Sequence, residues 1–212
     1  MKTIKAIFFD MDGVLVNAKD WHYEALNKAL ELFGMEISRY DHLVTYDGLP
    51  TRKKLEMLST ERGLPKSLHK FVDTIKQQYT MEIVNTRCKP LFYHEFALAK
   101  LKSEGYTLAV CSNSIRESVE VMIQKASLIQ YVDFFISNQD VTHAKPHPEM
   151  YLKAIKRSGF NPEQCLILED NEKGIKAAEE SGGHVMRIDA IEEVNYSNIK
   201  SCIHQIERRY KK

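Results

Sequence analysis

Five short, nearly unbroken apolar runs punctuate the chain. They are residues 3–10 (TIKAIFFD), 106–112 (YTLAVCS), 133–137 (DFFIS), 164–170 (QCLILED) and 184–188 (HVMRI). Runs of this length predict strands covered on both faces, the habit of a parallel sheet. Between them the apolar spacing turns helical. Residues 92–104 keep a helical period and stop at Gly105, a natural helix terminator. Residues 115–125, 149–157 and 172–181 read the same way, the last before Gly182 and Gly183. Strands alternating with helices predict βαβ units and a doubly wound α/β sheet.

Residues 16–89 break the rhythm. They hold strong helical patterns, such as 21–33 (WHYEALNKALELF) and 68–84, and no convincing buried strand. The expected organisation is a Rossmann-like α/β core formed by residues 1–15 and 90–212, with an inserted all-α block at 16–89. Trp21, Tyr23, Leu26 and Leu30 share one face of the first pattern and read as the core of that block.

Composition then removes several function classes. The 212 residues carry 30 Lys+Arg against 29 Asp+Glu, a formal charge of +1. A dedicated nucleic-acid binder would show a basic excess. The one dense basic run, Arg208, Arg209, Lys211 and Lys212, reads as a solvated helix end. No stretch approaches the ~20 apolar residues that cross a bilayer, and residues 4–9 are too short for a signal-peptide core. A cytoplasmic monomer is the expectation. Cys88, Cys111, Cys165 and Cys202 are widely spaced and form no CxxC pair. They read as reduced thiols, which argues against a disulfide scaffold or a zinc site.

In open α/β sheets, ligands sit beyond the carboxyl ends of the strands. Here those ends read Asp10-Met11-Asp12-Gly13, Ser112-Asn113, Ala144-Lys145-Pro146 and Glu169-Asp170-Asn171. Converging there, they supply four carboxylates, a hydroxyl, two amides and an ammonium. So many carboxylates do not all stay ionised side by side without a cation. Hard oxygen donors suit Mg²⁺, and a lysine and hydroxyl beside it suit a phosphate. The implied reaction class is phosphoryl transfer. Asp10 and Asp12, two apart, share one face of an extended segment. One can attack phosphorus, and the other can protonate the leaving oxygen and later activate water.

The segment Asp10-Met11-Asp12-Gly13-Val14-Leu15 resembles the first motif of the haloacid dehalogenase superfamily. Ser112, Lys145 in KPHPEMY, and Glu169-Asp170 before NEKGIKAA resemble the second, third and fourth. The helical insert resembles the cap of the subgroup containing β-phosphoglucomutase and phosphoglycolate phosphatase. The resemblance implies Asp10 as nucleophile and Asp12 as general acid/base. It implies a Mg²⁺ held by Asp10, the Asp12 carbonyl, Asp170 and Glu169, the last directly or through water. Ser112, Asn113 and Lys145 would bind the phosphoryl group. In the cap, His22 and Arg52, within Gly48-Leu49-Pro50-Thr51-Arg52, resemble substrate-facing positions.

Each residue also has a plainer reading. Asp10 and Asp12 beside Gly13 are ordinary turn formers. Ser112 and Asn113 are able to cap the following helix. His22 and Arg52 fit structural roles as well. His143 and His147 have the i, i+4 spacing of a helical metal pair, but Pro146 and Pro148 argue against a helix and make them loop residues. The combined expectation is a Mg²⁺-dependent phosphatase acting on a small phosphorylated metabolite, a sugar phosphate above all. The alternative is a phosphomutase using the same aspartyl-phosphate. Ala18 stands where the mutases of the family tend to carry Thr, which leans toward phosphatase. Dehalogenation and a non-catalytic binding role are the remaining readings.

Overall fold

The computed structural model describes residues 3–209; Lys211 and Lys212 of the basic run lie outside them. Five strands form one parallel sheet: β1 (Ala6–Phe9), β2 (Thr107–Cys111), β3 (Phe134–Ile136), β4 (Cys165–Glu169) and β5 (His184–Arg187), in the order β3-β2-β1-β4-β5. All four pairings are parallel, and β1 is paired on both sides: Ala6 faces Thr107 of β2 and Cys165 of β4. The predicted strands are all present, each trimmed by one or more residues at an end.

The chain divides into two units. The first comprises Met1–Asn17 with Lys89–Lys212, and the second is Ala18–Cys88. In the first unit, α5 (Phe92–Ser103) and α6 (Arg116–Lys125) connect β1 to β2 and β2 to β3, while α7 (Glu149–Ser158) and α8 (Glu172–Glu180) lead back through β4 to β5. Because crossovers are right-handed, reversing direction along the sheet moves the helices to the opposite face. Accordingly Ala6, Phe8, Ala109, Cys111, Phe134, Ile136, Cys165 and Ile167 pack with Met150, Tyr151, Ala154 and Ile155 of α7 and Ala177 and Ala178 of α8. The alternate residues Ile7, Phe9, Leu108, Val110, Leu166 and Leu168 point the other way and are also fully buried. Burial on both faces is why these strands read as continuous apolar runs. A last helix, α9 (Tyr196–Arg209), packs against α5. From the sequence only its basic end was read as helical, although Ile199, Ile203 and Ile206 recur at helical spacing and are buried.

The second unit is helical: α1 (Lys19–Glu31), α2 (Arg39–Asp41) running into a wider π turn at His42–Tyr46, α3 (Thr51–Arg62) and α4 (His69–Arg87). Leu26, Ala29, Leu30, Ile37, Tyr46, Leu55, Leu58, Leu64 and Val72 form its core. Leu26 and Leu30 are buried as expected, whereas Trp21 and Tyr23 are half-exposed. The helix α3 escaped the sequence reading because its inward face holds only Leu55, Leu58 and the stem of Lys54.

His42 is 2% exposed and packs on the Tyr23 ring at 4.9 Å. Among the described residues neither ring nitrogen has a hydrogen-bond partner, and Asp47 stands 3.8 Å away. Burial, then Lys54, pushes its pKa from 6.5 down to about 4. The unfolded chain therefore binds this proton more tightly than the folded one, so stability rises with pH between about 4 and 6.5. His42→Phe is expected to flatten the pH dependence of denaturant midpoints in that window, removing on the order of 2–3 kcal/mol of it. An unchanged slope would contradict the assignment.

Candidate active site

The carboxyl ends of β1, β2 and β4 bring the chemistry together. Asp10 prolongs β1, its N–H donating to the Leu168 carbonyl at 3.0 Å, so its backbone belongs to the sheet. The chain then turns at once. The Met11 carbonyl accepts from the N–H groups of Leu15 (3.0 Å) and Val16 (2.9 Å), and the Gly13 N–H donates to the Val16 carbonyl at 2.7 Å. Gly13 has φ 95°, where a side chain would be strained. The turn hangs Asp12 just past Asp10, where its Oδ2 accepts from the Ser114 hydroxyl at 3.2 Å.

Lys145 enters from the loop between β3 and α7. Its ammonium donates to Asp10 Oδ1 at 2.6 Å, Glu169 Oε1 at 2.6 Å and the Cys111 carbonyl at 2.8 Å. An ammonium has three protons, so this set saturates it, and Lys145 is only 4% exposed. The Tyr151 hydroxyl on α7 also donates to Glu169 Oε1, and its ring lies 4.9 Å from Lys145 Nζ. Glu169 is itself 1% exposed. The Asn113 amide and the Lys145 backbone bond reciprocally: Asn113 Nδ2 donates to the Lys145 carbonyl at 3.4 Å, and the Lys145 N–H donates to Asn113 Oδ1 at 3.2 Å. This pair pins the Lys145 loop to the end of β2.

Ser112 is fully buried, and its oxygen accepts from the Ser114 N–H at 3.0 Å. That is a local turn bond rather than a helix cap; the N-cap position of α6 is Ile115.

Burial holds the Asp10 carboxyl well above the ordinary carboxylate range. Lys145 opposes this, and Glu169, Asp170 and Asp12 add to it. Burial works to lower the Lys145 ammonium, but Asp10 and Glu169 overcome it and the pKa is raised. Asp10 and Glu169 thus share the Lys145 ammonium, with the charges of Asp170 and Asp12 acting on Asp10 as well. One oxygen from each of Asp10, Glu169 and Asp170 lies within 4.8 Å of the others. This donor set, all hard oxygen with excess negative charge, fits a small divalent cation such as Mg²⁺.

Three contributors were not singled out from the sequence. Ser114 holds Asp12, and only its place two residues after Ser112 hints at it. Tyr151 was hidden on a helix face otherwise built of Met150, Ala154 and Ile155. Gly174, on α8, admits the Glu169 carboxyl group: a Cβ there would lie 2.2 Å from the Glu169 carboxyl carbon and both its oxygens. Gly174→Ala must therefore displace Glu169 and is expected to cost about 1–3 kcal/mol. Its metal affinity should fall further than that of a surface Gly→Ala control. Thermal unfolding with and without Mg²⁺ measures both.

The two remaining candidates lie in the helical unit. On α1, His22 Nδ1 lies 3.1 Å from Nζ of the buried Lys76 on α4. Arg52, at the start of α3, is 88% exposed and pairs with Glu56 at 3.1 Å.

The sequence profile described as haloacid dehalogenase-like hydrolase matches residues 7–188. A phosphorylated carbohydrates phosphatase of Thermotoga maritima is 26% identical over 179 residues, covering 84% of this chain and 82% of that protein. A phosphoglycolate phosphatase of Aquifex aeolicus is 29% identical over 179 residues, with the same coverage of 84% and 82%. Among solved structures, β-phosphoglucomutase from Clostridium difficile superposes with a TM-score of 0.82 at 20% identity, covering 95% of this chain and 98% of that one. At that identity the likeness concerns the fold.

Proposed function

The chain belongs to the haloacid dehalogenase-like hydrolase family, and from that premise we propose that it is a Mg²⁺-dependent phosphatase of small phosphorylated metabolites, sugar phosphates above all. The observation that carries this reading is the placement of Asp10, Glu169 and Asp170 around one point, with Lys145 bridging two of them. The phosphatase names of the two bacterial relatives support the substrate class.

In the proposed reaction an Asp10 oxygen attacks phosphorus, forming an aspartyl-phosphate as the bond to the leaving oxygen breaks. Asp12 donates its proton to that oxygen. It then takes a proton from a water that attacks the same phosphorus, releasing inorganic phosphate and restoring Asp10. Asp10 belongs to the sheet and stays fixed. The Ser114 hydroxyl orients Asp12. Lys145 holds the nucleophile and supplies positive charge where the transferring group gains negative charge. Ser112 and Asn113 stand at the same strand end to receive phosphoryl oxygens. A Mg²⁺ held by Asp10, Glu169 and Asp170 would supply charge neutralisation for the phosphate. His22 and Arg52, as cap residues, are the proposed determinants of substrate choice.

The test is phosphate release from a panel of sugar phosphates and phosphoglycolate, with Mg²⁺ and with EDTA. Metal-dependent release is the expected result. Conversion of a hexose 1-phosphate to its 6-phosphate without phosphate release would replace the phosphatase with a mutase.

A further inference from the structure

A second cluster of metal-ligating side chains lies in the segment that carries Lys145. His143 and His147 are exposed, and Glu149 is the first residue of α7. One ligand atom from each lies within 4.8 Å of the other two. Pro146 and Pro148 keep this segment out of a helix, and α7 begins only at Glu149. The loop nevertheless stacks the two imidazoles, with ring centroids 4.7 Å apart and planes inclined by 34°. The loop thus brings the two rings as close as a helical i, i+4 pair would.

We propose that His143, His147 and Glu149 form a surface site for a first-row transition-metal ion of the Zn²⁺ class, separate from the carboxylate centre. Two imidazoles and one carboxylate match the preference of Zn²⁺ and Ni²⁺ and suit Mg²⁺ poorly. Three protein ligands leave a position for water or a further ligand. Around a tetrahedral ion with bonds of about 2.0–2.1 Å, ligand atoms stand roughly 3.3 Å apart. His143 Nδ1 and Glu149 Oε2 are already 3.1 Å apart, and the exposed His147 ring has room to close the rest.

The carboxylate is held in advance. Its oxygens accept from the backbone N–H groups of Thr142 (3.0 Å) and His143 (2.8 Å) and from Lys153 Nζ (2.9 Å). These bonds, the Thr142 N–H first, keep Glu149 well below the usual carboxylate range. Anchored ligands of this kind lose little freedom on coordination. The Glu149 N–H donates to His147 Nδ1 at 3.2 Å, orienting that ring as well. Unlike the carboxylate centre, the cluster contains no residue given a role in phosphate chemistry, so it stands whether or not the proposed activity does.

The experiment is equilibrium dialysis of the full chain against Zn²⁺ in saturating Mg²⁺, with metal analysis of the protein fraction. The variants are H143A, H147A and, at the carboxylate centre, D170N. One Zn²⁺ per chain is expected, weakened at least about tenfold in each histidine variant and unchanged in D170N. Both histidines are exposed, so unfolding midpoints matching wild type confirm that lost binding is not lost folding. No Zn²⁺ binding, binding kept in H143A and H147A, or binding lost in D170N would each overturn the proposal.

Discussion

Asp10→Asn is expected to abolish phosphate release while leaving the protein as stable as before, or slightly more so. The kinetic half follows from the nucleophilic role proposed for Asp10. An amide at this position cannot form the phosphoenzyme, and removal of a nucleophile elsewhere costs on the order of 10⁶-fold in turnover. The stability half follows from the site's charge balance. Asp10 is buried, and burial, Glu169, Asp170 and Asp12 all oppose its ionised form, with Lys145 alone favouring it. An amide of the same shape removes the buried charge and its repulsion while still accepting a hydrogen bond from Lys145. Phosphate release and thermal midpoints of both proteins test the two halves together. Residual turnover within about a hundredfold of wild type would remove Asp10 from the nucleophile's role, because removing a single electrostatic contact costs about that much or more.

Lys145→Met is expected to fail in the opposite way, losing stability as well as activity. The ammonium is the cation between Asp10 and Glu169, each at 2.6 Å. Replacing it with a thioether leaves two buried carboxylates facing each other without their cation. Breaking a buried ion pair by removing one partner costs about 3–5 kcal/mol. Turnover should fall by about 10²–10³-fold from the lost electrostatic contact. The penalty should also depend on pH. In the variant the one influence that lowers the Asp10 pKa is gone, so the folded-state value rises further above the unfolded one. A raised acid stabilises the fold when protonated and loses that contribution as pH rises through the folded value. The gap between variant and wild type should therefore be widest at neutral pH and narrow as pH falls toward about 4, the ordinary carboxylate range. Urea unfolding across that interval measures it. A constant gap would mean that Lys145 contributes packing rather than charge.

The strands were legible because burial on both faces suppresses alternation, so AIFF, TLAVC and CLILE announce themselves. The residues following those strands could be listed in advance because a parallel sheet sends all its carboxyl ends one way. Side-chain partnership was not legible. That Lys145 would spend all three protons on Asp10, Glu169 and a carbonyl depends on how deeply its loop reaches in, which no spacing encodes. Tyr151 reads as core because its ring is core; only its hydroxyl belongs to the site. Gly174 looks like a weakness in a helix until the Glu169 carboxyl group is seen at 2.2 Å from where its side chain would begin. The His143–His147 contact was missed for a different reason. Periodicity arguments apply to helices and strands, and the prolines that exclude both leave a loop whose path the sequence does not give.

The central position of β1 also sets an order of assembly. Its partners lie 101 positions away at Thr107 and 159 away at Cys165. During synthesis β1 emerges before both of its partners, and after β2 has closed one edge its apolar AIFF run keeps the other edge open until β4 has left the ribosome. Unpaired strand edges of this kind invite association with other chains. The helical block from Ala18 to Cys88 is made in the interval, and its largest helix pairing, α1 with α4, lies within it. By folding before β2 appears, it would replace a long flexible connection with a structured one and shrink the entropy of closing the β1–β2 pair. The insertion would then act in the nascent chain as a spacer, before any substrate is met.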